Sequence, residues 1–138
     1  MASYNKFNAF TQDLVNAKHN FGSNTYKVML TNTAPAATNA VKADVTEISA
    51  GNGYTAGGTT TTISVSTSSG VAKVTASDIV FTASGGSIGP LRYAVVYNAT
   101  TAANPLIAWF DYGSAITLND TETLTVDFDN TNGLFTVT

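Results

Sequence analysis

The sequence predicts a mainly all-β domain, a β-sandwich of jelly-roll-like character carrying one N-terminal amphipathic helix. Three observations point there. Thr, Ser, Asn, Ala and Gly interleave with Val, Ile, Phe and Tyr in short alternating runs, the period-two pattern of half-buried strands. Turn signals rich in Gly, Asn and Ser separate roughly seven or eight such runs, as in sandwiches and jelly rolls. Only the beginning of the chain departs from this pattern, with apolar residues spaced three and four apart.

That first stretch predicts a helix over residues 3–21. Tyr4, Phe7, Phe10, Leu14, Ala17 and Phe21 fall on one side of a 3.6-residue helix, and Asn8, Thr11, Gln12, Asn16 and Lys18 on the other. Ser3 is placed to cap its start and Gly22 to end it in a left-handed conformation. Residues 25–138 then read as the sandwich. Thr25 to Leu30 is a strand stopped by Asn32 and the Ala34-Pro35 turn. Val41 to Ile48 is a short helix or an irregular crossing. Gly51, Gly53, Gly57 and Gly58 form a loop around Tyr54, which packs down.

Thr59 to Ser66 and Val71 to Thr75 read as a hairpin about the Ser68-Ser69-Gly70 turn. Ile79 to Thr82 is a short strand, and Ser84 to Pro90 a loop. Leu91 to Tyr97 is a dense apolar run, and so a central strand, paired with Leu106 to Tyr112 across the Asn98 to Pro105 turn. A last hairpin joins Leu124–Phe128 to Leu134–Val137, with Leu124, Val126 and Phe128 on one face. No fixed repeat and no linker divides the chain, so the 138 residues form a single domain.

Composition narrows the function. Charged residues make up 11 % of the chain, against about 25 % in an ordinary soluble domain. A surface so poor in charge favours a protein that works in an assembly. The net charge of −3, with Lys6, Lys18, Lys27, Lys42, Lys73 and Arg92 scattered singly, argues against nucleic acid. No apolar stretch is long enough to span a bilayer, and Met1 to Phe10 has no signal-peptide pattern. With no cysteine there is neither a disulfide framework nor a thiolate metal site.

Motifs with a chemical reading have plainer alternatives. Gly51-Asn52-Gly53-Tyr54-Thr55-Ala56 matches a dinucleotide-binding string, but a strand signal follows where a helix must stand. His19, the only histidine, lacks a recognisable nucleophile elbow and suits a structural role near the helix end. Asp127, Asp129, Asn130 and Asn132 before Gly133 resemble a calcium loop whose glycine comes late and whose closing Glu is missing; Asp111, Asp120 and Glu122 are the nearby oxygen donors. A turn of that composition needs no ion. The sequons at Asn98 and Asn119 read as turn residues. Trp109, Phe110, Tyr112, Tyr93 and Tyr97 can build a sugar-stacking platform, or simply a core; Trp109 and Phe110 point to opposite sides of a strand. The expectation is therefore no enzyme, no metal and no cofactor.

Four stretches, in this order, resemble a family of small virion structural proteins of tailed bacteriophages, the head decoration or cement proteins. They are Leu30-Thr31-Asn32-Thr33-Ala34-Pro35, Ala50-Gly51-Asn52-Gly53-Tyr54-Thr55-Ala56-Gly57-Gly58, Ala83-Ser84-Gly85-Gly86-Ser87-Ile88-Gly89-Pro90-Leu91-Arg92-Tyr93-Ala94-Val95 and Ala108-Trp109-Phe110-Asp111-Tyr112-Gly113-Ser114. Tyr4-Asn5-Lys6-Phe7 and Thr117-Leu118-Asn119-Asp120 extend the likeness over nearly the whole chain. The resemblance implies a protein made in the bacterial host cytoplasm and located on the virion's capsid surface. There it would bind the major capsid protein as a homotrimer and stabilise the shell without catalysis. It carries over no catalytic residue.

Candidate contact residues follow from the residues themselves. The Thr59 to Val74 hairpin has only Lys73 to guard its edges, so that hairpin, with Thr60, Thr62, Ser64 and Lys73, or else the terminal hairpin, is the candidate for pairing with another chain. Phe7, Phe10 and Phe21 are the second group, provided they are not covered within the subunit. The competing expectations are a glycan- or receptor-binding fibre module and a tail tube or terminator subunit.

Overall fold

The structure is a computed structural model that describes residues 3–138. It is mainly β and antiparallel, with one α-helix. The elements are β1 (Ser3–Lys6), α1 (Asn8–Val15), β2 (Tyr26–Thr31), a 3-10 turn (Lys42–Asp44), β3 (Thr59–Thr61), β4 (Ile63–Ser68), β5 (Val71–Ala76), β6 (Ile79–Thr82), β7 (Ile88–Asn98), β8 (Leu106–Leu118), β9 (Thr123–Val126) and β10 (Phe135–Val137). A five-stranded sheet has the order β1-β8-β7-β2-β3; β10-β5-β4 and β6-β9 form two smaller sheets.

The core lies between these sheets. Val28, Leu30, Ala94, Val96 and Ala108 of the large sheet meet Ala76, Ile79, Phe81, Phe128 and Leu134 in one cluster. The opposite face of the large sheet carries a second cluster of Phe7, Met29, Val95, Tyr97 and Leu106, which Val45, Ala99 and Trp109 cover. Burial on both faces explains why β2 and β7 read as continuous apolar runs rather than as alternating ones. The expected pairing of the two central strands is present, with Val95 opposite Trp109 and Tyr97 opposite Leu106.

The predicted 3–21 helix is shorter. Ser3–Lys6 is a strand, its residues opposite Ala108–Asp111 of β8, so its backbone groups are taken up by that ladder rather than by a first helical turn. Tyr4 consequently packs on Phe110. The helix begins at Asn8 with Phe7 as its uncapped boundary residue, and the Asn8 N–H is satisfied by the Ala37 carbonyl. It ends at Val15, and the left-handed closing residue is Ala17, not Gly22. Ala17 has a φ of 59°; its N–H donates to Leu14 O and the Lys18 N–H to Asp13 O, a Schellman closure. His19 therefore lies in the loop beyond the helix.

The Thr-rich run also divides. Thr59–Thr61 joins β2 in the large sheet, while Ile63–Ser68 pairs with β5 in the small one. The Ser77 hydroxyl and carbonyl anchor the switch, accepting from Thr62 N–H and the Thr61 hydroxyl. Ser69 and Gly70, with φ of 50° and 78°, form the two-residue turn that suits strand twist. The terminal hairpin does not form. β9 pairs with β6 and β10 with β5, so each strand fills a different edge. The 41–48 crossing is mostly irregular around its 3-10 turn.

That crossing and the Tyr54 loop close the edge of β2 beyond β3. Ile48 N–H donates to Leu30 O, and the buried Tyr54 hydroxyl accepts from Leu30 N–H at 2.9 Å while donating to Glu47 Oε1 at 2.7 Å. Gly58 (φ 77°) lies so close to β2 that a Cβ there would stand 1.8 Å from Val28 O. Only glycine fits.

Candidate interaction surfaces

Three regions merit attention: the helix-exit aromatic cluster, the β4–β5 hairpin, and a crevice beside β8. In the first, Phe7 is 0 % exposed and packs on Trp109 at 4.6 Å; Phe10 meets His19 and Phe135, and Phe21 stacks on Tyr26 at 4.6 Å. Phe7 and Phe10 are covered within the subunit, and Phe21 is partly buried. His19, 6 % exposed, sits among Phe10, Phe21 and Tyr26. Burial lowers its pKa, Asp13 opposes that shift and Lys18 adds to it.

Beside His19, Asn98 is a fully buried staple. Its amide donates to Lys18 O, Asn24 Oδ1 and Thr101 Oγ1, and its Oδ1 accepts from the N–H groups of Thr100 and Thr101. Its sequon spacing gave no hint of that role. Tyr97 is buried and donates to Gly57 O at 2.6 Å, so it belongs to no open aromatic platform, whereas Tyr93, also largely buried, reaches the wall of the crevice beside β8 together with Phe110 and Tyr112. Trp109 is half-buried against Phe7 on one face, and Phe110 lies on the other with Tyr4 and Phe128.

The hairpin is a different surface. Every residue from Ser64 to Ser68 is exposed, Val65 by 49 %. β4 is the edge of its sheet. Thr60 lies on β3, and Thr62 between the two strands; both are exposed. Lys73 sits opposite Ser66 on β5 and donates to Thr131 O at 3.0 Å, so its ammonium is directed away from the β4 edge.

The crevice was not foreseen as a site. Opposite Arg92, β8 bulges outward through Tyr112 to Ala115, because Leu91 pairs with Ile116 but Tyr93 already pairs with Asp111. Arg92 holds Asp111 by two bonds, Nε to Oδ1 at 2.8 Å and Nη2 to Oδ2 at 3.1 Å. The Arg92 bond and the Gly113 N–H keep Asp111 below the usual carboxylate range. Arg92, Phe110, Tyr112, Thr125, Val126 and Asp127 line a cavity of about 240 Å³ at the base of the bulge. Tyr112 is 54 % exposed. The one sequence signal was that Arg92 is the only arginine.

The acidic turns work locally. Asp129 accepts from Thr131 N–H, Asn132 N–H and Asn132 Nδ2, bonds that lower its pKa. Asp120 accepts from Gly85 N–H and Glu122 from Asn119 N–H. Among the described residues no group of His, Cys, Asp and Glu is arranged to hold a metal. Around Gly51–Tyr54 the chain forms a bridged turn followed by β3, with no helix after it. Among the described residues no helix is long and apolar enough to cross a membrane. Compared with known proteins, the chain matches no family model, no curated protein and no solved structure.

Proposed function

We propose that this chain is a capsid decoration protein of a tailed bacteriophage, which binds the outside of the major capsid shell and stabilises it through many non-catalytic contacts. The observation that carries the reading is the outer strand of the β4–β5 hairpin, an exposed, uncharged edge on a well-packed β-domain. A cementing subunit needs a stable body and an edge that engages neighbours by backbone bonds and apolar contact. The ordered resemblance of the Leu30, Ala50, Ala83 and Ala108 stretches supports the same reading. Repetition over a shell turns modest contacts into high avidity. Subunits would sit as trimers at local three-fold positions.

The test is the mass of the purified protein, followed by co-sedimentation with undecorated, expanded phage heads. A stable trimer that saturates the shells is expected; a monomer or a hexamer that leaves them bare would overturn the proposal, the hexamer favouring a tail tube or terminator. The crevice favours a second reading, a glycan- or receptor-binding module. There Tyr112 supplies a ring face, and Arg92, Thr125 and Asp127 supply donors and acceptors. Binding to a sugar array that is lost in Tyr112→Ala would support it.

A further inference from the structure

The outer edge of β4 has a specific hydrogen-bonding phase. Thr62 O accepts from Ser77 N–H, so Thr62 directs its backbone groups toward β5. Alternation along the strand gives the same direction to Ser64, Ser66 and Ser68, and the opposite one to Ile63, Val65 and Thr67. The turn agrees, because Ser68 and Val71 flank its two residues and form the closing pair. Ile63, Val65 and Thr67 thus present their N–H and C=O groups outward along an edge with no strand beside it among the described residues. The edge has no charge, proline or glycine to block pairing.

We infer that this edge pairs antiparallel with the β4 edge of a second copy, about a two-fold axis through Val65. In that register Val65 faces Val65 of the second copy and Ile63 faces Thr67, so each outward backbone group finds its complement. A shift by one residue would set outward groups against inward ones. The side chains agree with the backbone. Val65, half exposed in the single chain, covers its own counterpart on one face, and Ser64 meets Ser66 on the other. The charge of Lys73 is directed back toward Thr131, so no like charges meet at the axis.

The two three-stranded sheets become one continuous sheet, an isologous contact that closes on itself. The register about Val65 is self-complementary, and that symmetry is what makes a second copy of this chain the occupant. Such a joint buries less than the roughly 1,200 Å² of a standard interface; it is weak alone and strengthens where copies are concentrated. It leaves the rest of the subunit free for a three-fold contact, and it stands independently of the capsid reading.

The chain's lack of cysteine makes the register testable. Opposed residues at the axis have Cα atoms about 5.5 Å apart, inside the disulfide range. Val65→Cys should therefore yield disulfide-linked dimers on mild oxidation. Thr67→Cys, whose copies lie more than about 12 Å apart in this register, should yield at least about tenfold less. Val65→Lys sets two ammonium groups face to face. It should leave the circular dichroism spectrum and Tm unchanged, yet abolish the concentration-dependent dimer in sedimentation, whether of single chains or of whole trimers. Equal cross-linking by both cysteine variants, or by neither, would overturn the inference, and so would a dimer that survives Val65→Lys. Shell binding plays no part in these measurements, so a failure to decorate heads is read separately.

Discussion

At the scale of single residues, two buried side chains make opposite contributions. Tyr54 is an asset, since its hydroxyl joins the Leu30 N–H to Glu47. Burial works against the Glu47 carboxylate, but the bonds from Tyr54, Lys42 and Gly57 together hold it below the ordinary range. Tyr54→Phe strands the buried Leu30 N–H and is expected to cost about 1–3 kcal/mol in urea unfolding; a loss of a few tenths would show that solvent takes over the bond. His19 is a liability: its Nε2 is buried without a partner among the described residues, as is the Tyr26 hydroxyl. Its lowered folded pKa means that the unfolded chain binds the proton first as pH falls. Stability is then full above about pH 6.5 and declines below it until the folded pKa is passed. His19→Phe fits the aromatic surroundings and should flatten this slope. Tm scans of both proteins from about pH 7 to 5 should diverge; parallel curves would refute the assignment.

At the scale of elements, the helix end is the clearest lever. Ala17 occupies the left-handed position of a Schellman closure, which costs a residue with a Cβ about 1 kcal/mol relative to glycine. Ala17→Gly should therefore raise Tm by roughly 2–6 °C, and an unchanged or lower Tm would mean that the neighbouring chain already relieves the strain. The position also explains the reading of residues 3–21 as one helix. The spacing of Tyr4, Phe7, Phe10, Leu14 and Phe21 is genuinely that of an apolar stripe. The four rings among them, Tyr4, Phe7, Phe10 and Phe21, nevertheless reach different partners, from Phe110 and Trp109 to Phe135 and Tyr26, because the chain passes from strand to helix to loop beneath them. Apolar spacing reports that a residue is buried; it does not report which element buries it.

At the scale of the molecule, low charge density is the property most tied to the proposed role. An interface made by a charge-poor surface gains little from long-range attraction. Binding to expanded heads is accordingly expected to change by less than about threefold between roughly 0.05 and 0.5 M salt. Weakening by more than about tenfold over that range would point instead to a charge-steered contact. The large sheet, covered on both faces, supplies the rigid body. The small sheet's free β4 edge and the β8 bulge are what the molecule presents to a neighbour.

The mainly β class, the central Leu91–Tyr97 and Leu106–Tyr112 pair, the turn at Ser69-Gly70 and the packed-down Tyr54 were all legible in the sequence. Each rests on local pattern: alternation, a dense apolar run, or a turn dipeptide. The hairpin chosen for contact was likewise visible as an edge with little charge. What the tertiary structure decided was pairing between distant segments. Thr59 to Ser66 reads as one strand until Ser77 captures Thr61 and Thr62 and sends the two halves into different sheets. The terminal hairpin reads well locally, yet β6 and β5 outcompete it as partners for β9 and β10. Arg92 and Asp111 meet only because β8 bulges opposite β7. The physical reason is common to these cases. Side-chain periodicity records whether a segment faces a core, a property it carries alone, whereas strand order, free edges and the crevice arise from backbone bonds between distant segments, and those bonds leave little trace in local sequence.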